Sequence, residues 1–256
     1  MLLAQTWSYA FAHPQELLLA LRQHVELCGA ALALAAMAGI PLGVWTSRSE
    51  RGRSIVAVVT ALRVVPSLAV LAFMLPILGL GFWPALVALG LLGFPPILIN
   101  TDVALRHVAP PVKEAALGMG MRSSQMLARV EAPLAAPVVI AGLRTSAIEV
   151  IASATLAAFI GAGGLGTFIL DGLANNDMRQ LLLGGASVAL LALATEGLAS
   201  ALLAASQQVA PTAHRPKNVS RSFLQRAGPN LEPALKLLHR ELGTRLNNVL
   251  RSPAIV

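Results

Sequence analysis

Charge, sulfur and aromatic rings are all scarce in this chain. Only 12% of its 256 residues are Asp, Glu, Lys or Arg, about half the share usual in a soluble domain. A hydrophobic content of 56% and a mean hydropathy of +0.71 exclude an ordinary water-facing globule. A single cysteine, Cys28, rules out a disulfide framework. The three lysines, Lys113, Lys217 and Lys236, are followed by Glu, Asn and Leu, so none completes the Gly-rich Lys-Ser/Thr loop that cradles nucleotide phosphates. His13, His24, His107, His214 and His239 show no metal-ligand spacing and read as structural or solvated residues. The first residues carry no basic segment, and no cleavable leader is expected.

What is present is a series of apolar stretches long enough to cross about 30 Å of hydrocarbon. Spans are expected at residues 27–47, 54–78, 84–101, 135–160 and 181–205. From Val64 to Thr101 no charge occurs, and Gly79-Leu80-Gly81-Phe82-Trp83-Pro84 is the natural turn within that run. Residues 1–26 are expected to lie along the interface, with Trp7, Tyr9 and Phe11 at headgroup level. Residues 161–180 cannot form one regular helix, given their glycines and the polar run Asn175-Asn176-Asp177.

The net charge of +7 follows the positive-inside rule rather than marking a nucleic-acid partner. Arg48, Arg51, Arg53, Arg106, Lys113, Arg122 and Arg129 fall in loops on one side of the five spans, and the basic tail falls on that side too. Arg22 and Arg179 fall on the other. The expected class is therefore an all-α protein of the inner membrane, N-terminus outside and C-terminus cytoplasmic. In the tail, 206–256, Leu231, Leu235, Leu238, Leu242, Leu246 and Val249 recur at helical spacing, so 230–250 reads as an amphipathic helix.

The longest polar interruption between spans is residues 110–137. Pro110 and Pro111 suit a first helical turn. Residues 112–119 read as a short helix, Gly120 as a turn with positive φ, and Ser123 or Ser124 as the cap of a second helix that Pro133 ends. Glu114-Ala115-Ala116, then Gly120, Val130 and Pro133, resembles the EAA loop of ABC importer permeases in every spacing, with Val130 for the usual Ile. Gly161-Ala162-Gly163-Gly164-Leu165-Gly166 after the next span strengthens the resemblance.

Within that family the chain is most similar to the osmoprotectant branch, importers of glycine betaine, proline, carnitine or choline. The similar stretches are Val65-Pro66-Ser67-Leu68-Ala69, Gly79-Leu80-Gly81, Glu114 to Met121, Arg129-Val130-Glu131 with Pro133, Ala141 to Thr145, and Ala154 to Gly166. They fall within residues 25–205. Arg63, where Gln is frequent, and Arg122-Ser123-Ser124, in place of a Thr-Pro type cap, depart from the pattern. Methionine permeases share the glycine-rich element, and methionine or another amino acid is the alternative substrate class. An ion-gradient-driven secondary transporter is the alternative mechanism, but the inverted repeats frequent in such proteins are not found.

The resemblance implies a type I importer permease: a non-catalytic subunit, with ATP and Mg bound by separate ABC ATPase subunits. Its other partners are a second permease chain, the lipid bilayer and an extracytoplasmic binding protein. That last partner fits the scatter of Trp7, Tyr9, Trp45 and Trp83, which build no aromatic cage. The implied ATPase-coupling residues are Glu114, Ala115, Ala116, Gly118, Gly120, Met121, Arg129, Val130, Glu131 and Pro133. Small Ala115 and Ala116 let the first helix seat in a partner groove, Glu114 accepts a charged hydrogen bond there, and Gly120 sets the interhelical angle.

Ionisable residues within spans are costly and default to functional candidates. Arg63, Pro66, Ser67 and Glu149 are candidates for the pathway or a gate, together with Gly161, Gly163, Gly164 and Gly166. Arg144 and Glu196 read as an interhelical pair or as snorkelling side chains near the inner face. Glu149 lies five residues from Arg144, so any partner of Glu149 is on another helix.

Overall fold

A computed structural model describes residues 2–209 of the chain; the tail helix expected at 230–250 lies outside the described residues. Among the described residues every regular element is helical. Two short helices and a long one open the chain's described part: α1 (Leu2–Ala12), then α2 (Pro14–Arg48), then α3 (Gly52–Leu62). They are followed by α4 (Ser67–Leu78), α5 (Phe82–Arg106), α6 (Pro110–Gly118) and α7 (Ser123–Met126). A π-helical turn (Leu127–Glu131) leads into α8 (Ala132–Ala154), and a 3-10 turn (Leu156–Ile160) follows it. Next come α9 (Gly166–Ala174) and α10 (Met178–Val209).

Four of these stretches are long and apolar enough to cross a membrane: Pro14–Arg48, Phe82–Arg106, Ser123–Ala154 and Met178–Ala205. The pair α3 and α4 makes a fifth if its halves count as one span. That span is not the continuous helix expected over 54–78. It bends by 94° between Leu62 and Ser67. Pro66 is the cause: it fixes its own φ and pushes Val65 out of the α region. The amides of Arg63, Val64 and Val65 turn back to the carbonyls of Thr60, Ala61 and Leu62 at 3.1–3.3 Å, closing the end of α3 with tight turns.

A second correction concerns residues 15–26. They do not form a separate interfacial helix but run without a break into the first span. Pro14 starts α2 in its first turn, and nothing between Glu26 and Leu27 interrupts the backbone ladder. The resulting 35-residue rod is about 52 Å long, well over the thickness of a hydrocarbon core.

Helix α5 lies at the centre, against α2 on one side and α8 on the other, with α4 beside it. Glycines and alanines bring these backbones close. A Cβ on Gly93 would stand 2.7 Å from Ser146 Oγ, and one on Gly142 would stand 2.6 Å from Asn100 Cβ. Small residues at such crossings are the usual means of packing helices in a lipid solvent. Ser146 uses the proximity to donate to the Gly93 carbonyl at 2.7 Å, just ahead of the Pro95-Pro96 pair inside α5. Leu27, Ala31, Leu71, Leu89, Val150 and Ala154 fill the core among α2, α4, α5 and α8. Helix α10 packs along α8 and α9, and α1 packs on α10.

Candidate functional site

The loop between α5 and α8 is built from the residues that mark it in the sequence. Pro110 and Pro111 occupy the first turn of α6, where the missing amide costs nothing. The helix ends on a double turn: Met121 N–H reaches the Ala116 carbonyl at 3.2 Å and Gly120 N–H the Leu117 carbonyl at 2.9 Å. This pair of bonds requires a left-handed residue at the crossing, and Gly120 supplies it with φ +79°. Helix α7 then starts at Ser123. Arg122, not either serine, stands at its N-cap position, and the Gln125 side chain accepts the Arg122 amide proton at 3.0 Å.

Pro133 does not end the second helix. The chain passes through it into α8, because Leu127–Glu131 widens to a π-helical turn in which the Ala132 amide bonds back five residues to Leu127. The extra residue in the ladder gives the proline ring room where a regular turn would clash with the carbonyl four residues earlier. The second helix of the loop and the fourth span are thus one continuous rod.

Side chains of the loop divide by face. Glu114, Ala115, Leu117, Gly118, Met119 and Gly120 are exposed. Ala116 is buried inside this chain, so of the two small alanines only Ala115 belongs to the outward face. Arg129 and Pro133 are exposed, and Met121 and Val130 half-buried. Glu131 is only 4% exposed. Its carboxylate receives Arg48 Nη2 at 2.6 Å from the end of α2 and Lys113 Nζ at 3.2 Å from α6. Lys113 also donates to the Leu105 carbonyl at 3.0 Å. Beside it, Arg106 binds Asp102 at 2.8 Å and donates to the carbonyls of Thr46 and Ser49, tying α5 to the same end of α2. The sequence points to Arg106–Asp102 through its four-residue spacing. It gives no signal for Arg48–Glu131, 83 residues apart.

The glycine-rich segment sits at the other end of α2. Gly161, Gly163 and Gly164 all adopt φ between +75° and +85°. Gln23 accepts the Gly164 amide proton at 3.1 Å, and a Cβ on Gly164 would stand 3.1 Å from His24 Nδ1. His24 is fully buried and its Nε2 lies 3.3 Å from the Ile151 carbonyl, the structural role expected of it. Gly81 N–H bonds to the Ile160 carbonyl at 2.8 Å, joining the turn before α5 to the same segment. A Cβ on Gly166 would meet the Thr155 carbonyl at 2.2 Å, so that glycine serves a close crossing. At this end Asp177 accepts the Arg179 side chain and amide at 2.9–3.0 Å. That hydrogen bonding holds the Asp177 carboxyl below its ordinary range.

Ion pairs also form within the spans. Arg63, at the break after α3, lies 3.8 Å from Glu149 of α8. Arg144 of α8 pairs directly with Glu196 of α10. Ala141, Arg144, Thr145, Ile148, Glu149 and Ala152 follow one another at alternating spacings of three and one. This single stripe of α8 borders, with Glu196, an open cleft of about 550 Å³. Of the candidates at the break, Arg63 is brought to Glu149 and Pro66 and Ser67 form the start of α4, whereas the four glycines belong to the segment that meets α2 near Gln23.

Comparison with known proteins decides what these features belong to. Residues 37–208 match the family described as the inner membrane component of binding-protein-dependent transport systems. The chain belongs to this family. Its fold is shared with solved inward-facing structures of the MetNI methionine ABC transporter. One gives a TM-score of 0.67 at 20% identity, covering 76% of this chain and 98% of the solved chain. The permease is 37% identical over 182 residues to the osmoprotectant import permease protein OsmW of Salmonella typhimurium, covering 69% of this chain and 85% of that one. It is 44% identical over 140 residues to the carnitine transport permease protein OpuCB of Listeria monocytogenes, covering 54% and 57%. Over 126 residues it is 39% identical to the choline transport system permease protein OpuBB of Bacillus subtilis, covering 49% and 58%. The matches thus span somewhat more than half the length of the carnitine and choline relatives and most of OsmW. As a family member the permease is a multi-pass protein of the inner membrane.

Proposed function

We propose that this permease carries a small quaternary-ammonium osmoprotectant, of the glycine betaine, carnitine or choline class, into the cell as the membrane subunit of an ABC importer. The observation that carries the substrate class is the likeness to OsmW over 85% of that protein's length. ATP and Mg are bound by separate ATPase subunits, which seat on the outward face of α6 around Glu114 and Ala115. Two permease chains surround the pathway, and an extracytoplasmic binding protein delivers the substrate at the α2 end that holds Gly161 to Gly166. The arginine-rich end, with Arg48, Arg51, Arg53, Arg106 and Lys113, faces the cytoplasm, which sets the N-terminus outside. This end presents the loop to an ATPase.

Reconstitution with its ATPase and binding protein in proteoliposomes tests the reading. Glycine betaine, carnitine or choline is expected to stimulate ATP hydrolysis and to accumulate inside. Stimulation by methionine alone would move the permease to the methionine branch. Uptake that survives without ATP but collapses with the proton gradient would remove it from this mechanism altogether.

A further inference from the structure

The break between α3 and α4 and the charged stripe of α8 constrain the same face. A bent, non-helical backbone is not tolerated against lipid and survives at membrane depth only where it meets protein or a water-lined cavity. A charged side chain in hydrocarbon costs about 2.5–3.5 kcal/mol on insertion scales. Here Arg63, Arg144, Glu149 and Glu196 all sit in or beside spans and all keep 30–42% of their side-chain surface open. That face therefore looks onto a wet or protein-lined space rather than onto acyl chains.

The two ion pairs on this face are not equivalent. Arg144 and Glu196 are in direct contact, with a charge-assisted hydrogen bond from Arg144 Nε. Arg63 and Glu149 stand 3.8 Å apart, too far for a hydrogen bond. Their separation exchanges only a loose coulombic contact, so this is the pair a passing ligand can enter. The cleft beside Glu149 has about 550 Å³, within the range of small-molecule sites. Its lining carries no aromatic ring, so a quaternary ammonium is drawn there by carboxylate charge and not by a ring face.

The geometry points to the Arg63–Glu149 pair as a transit site for small zwitterions, Glu149 facing the quaternary ammonium and Arg63 the carboxylate. This rests on the substrate class proposed above. A zwitterion replaces the pair charge for charge and leaves neither residue unpaired. A pure cation such as choline satisfies Glu149 but leaves Arg63 without its anion. The two residues therefore sort substrates by whether they carry a carboxylate.

The test is initial uptake of glycine betaine and of choline by the complete importer in proteoliposomes, for wild type, Arg63→Gln and Glu149→Gln. Membrane level and co-purification with the ATPase serve as controls. Glu149→Gln is expected to lower uptake of both substrates by about tenfold or more, the size of one lost charged contact. Arg63→Gln is expected to lower glycine betaine uptake by a similar factor while choline uptake holds or rises. If either Gln variant fails to reach the membrane, Arg63→Met and Glu149→Leu, which also remove the charge, carry the same comparison. Equal losses for both substrates in both variants, restored by the exchange Arg63→Glu with Glu149→Arg, would make the pair a structural strut and overturn the proposal. Wild-type glycine betaine uptake in Arg63→Gln would also overturn it. A wild-type importer that moves neither substrate sinks the underlying substrate reading first, before any variant is compared.

Discussion

Glu131 carries more of the loop's structure than any other residue the sequence singles out. It is a buried carboxylate with cations from two other helices, and removing one member of such a set strands the rest. Arg48 and Lys113 keep 39% and 31% of their side-chain surface in solvent, so the stranded charges can rehydrate. Glu131→Ala is therefore expected to cost about 1–2 kcal/mol rather than the 3–5 typical of a sealed pair. A double-mutant cycle with Lys113→Met, read by thermal melting in detergent, should show coupling; strict additivity would mean that Lys113 is held by Leu105 alone. Gly118 and Gly120 offer a cleaner contrast. Neither has an atom within 4 Å of an added Cβ, but only Gly120 has positive φ. Gly120→Ala should destabilise the loop by about 1–2 kcal/mol and weaken ATPase co-purification, while Gly118→Ala, in a helical turn, should not. Equal behaviour of the two variants would show that the left-handed turn is not what sets the loop's angle.

Among the elements, the long apolar rods were legible and the joints were not. Four of the five apolar stretches fall in helices long and apolar enough to cross a membrane, and the fifth in the bent pair α3–α4, since hydropathy depends on composition, and composition is local. The joints depend on how a proline is accommodated, which composition does not reveal. Pro133 reads as a stop signal, and the chain instead absorbs it with a π-helical turn. Pro66 reads as tolerable inside a span, and the chain instead bends by 94° there. In the second case the proline disfavours a helical residue before it; in the first a wider turn upstream removes the clash. The site was half legible for the same reason. Glu114, Gly120 and their neighbours announce themselves by spacing. Glu131 meets Arg48, and Arg63 meets Glu149, only because α2, α8 and both halves of the broken span pack on α5.

At the scale of the whole molecule, the topology is open to a direct chemical check. The single cysteine, Cys28, is buried at 8% exposure, so introduced thiols report with little background. Ser124→Cys, on the exposed side of α7, is expected to react with a membrane-impermeant maleimide only from the cytoplasmic side. Asn175→Cys, in the turn before α10, should react only from outside. Labelling of both from one side would break the five-span order, and labelling of each from the opposite side would invert it.

Helix α2 reaches both ends of this architecture. Near its start Gln23 and His24 lie against the glycine-rich segment; at its finish Arg48 grips Glu131. About 25 residues, or roughly 38 Å of uninterrupted helix, separate the two grips. A rod pinned in this way behaves as a beam. Sideways displacement of the loop at one grip is expected to tip the glycine-rich segment at the other, with no hinge needed between them. The beam's only internal proline, Pro41, lies near the Arg48 end, so flexure there spares the longer arm. The stiffness of one helix thus offers a direct mechanical path from the loop to the glycine-rich segment.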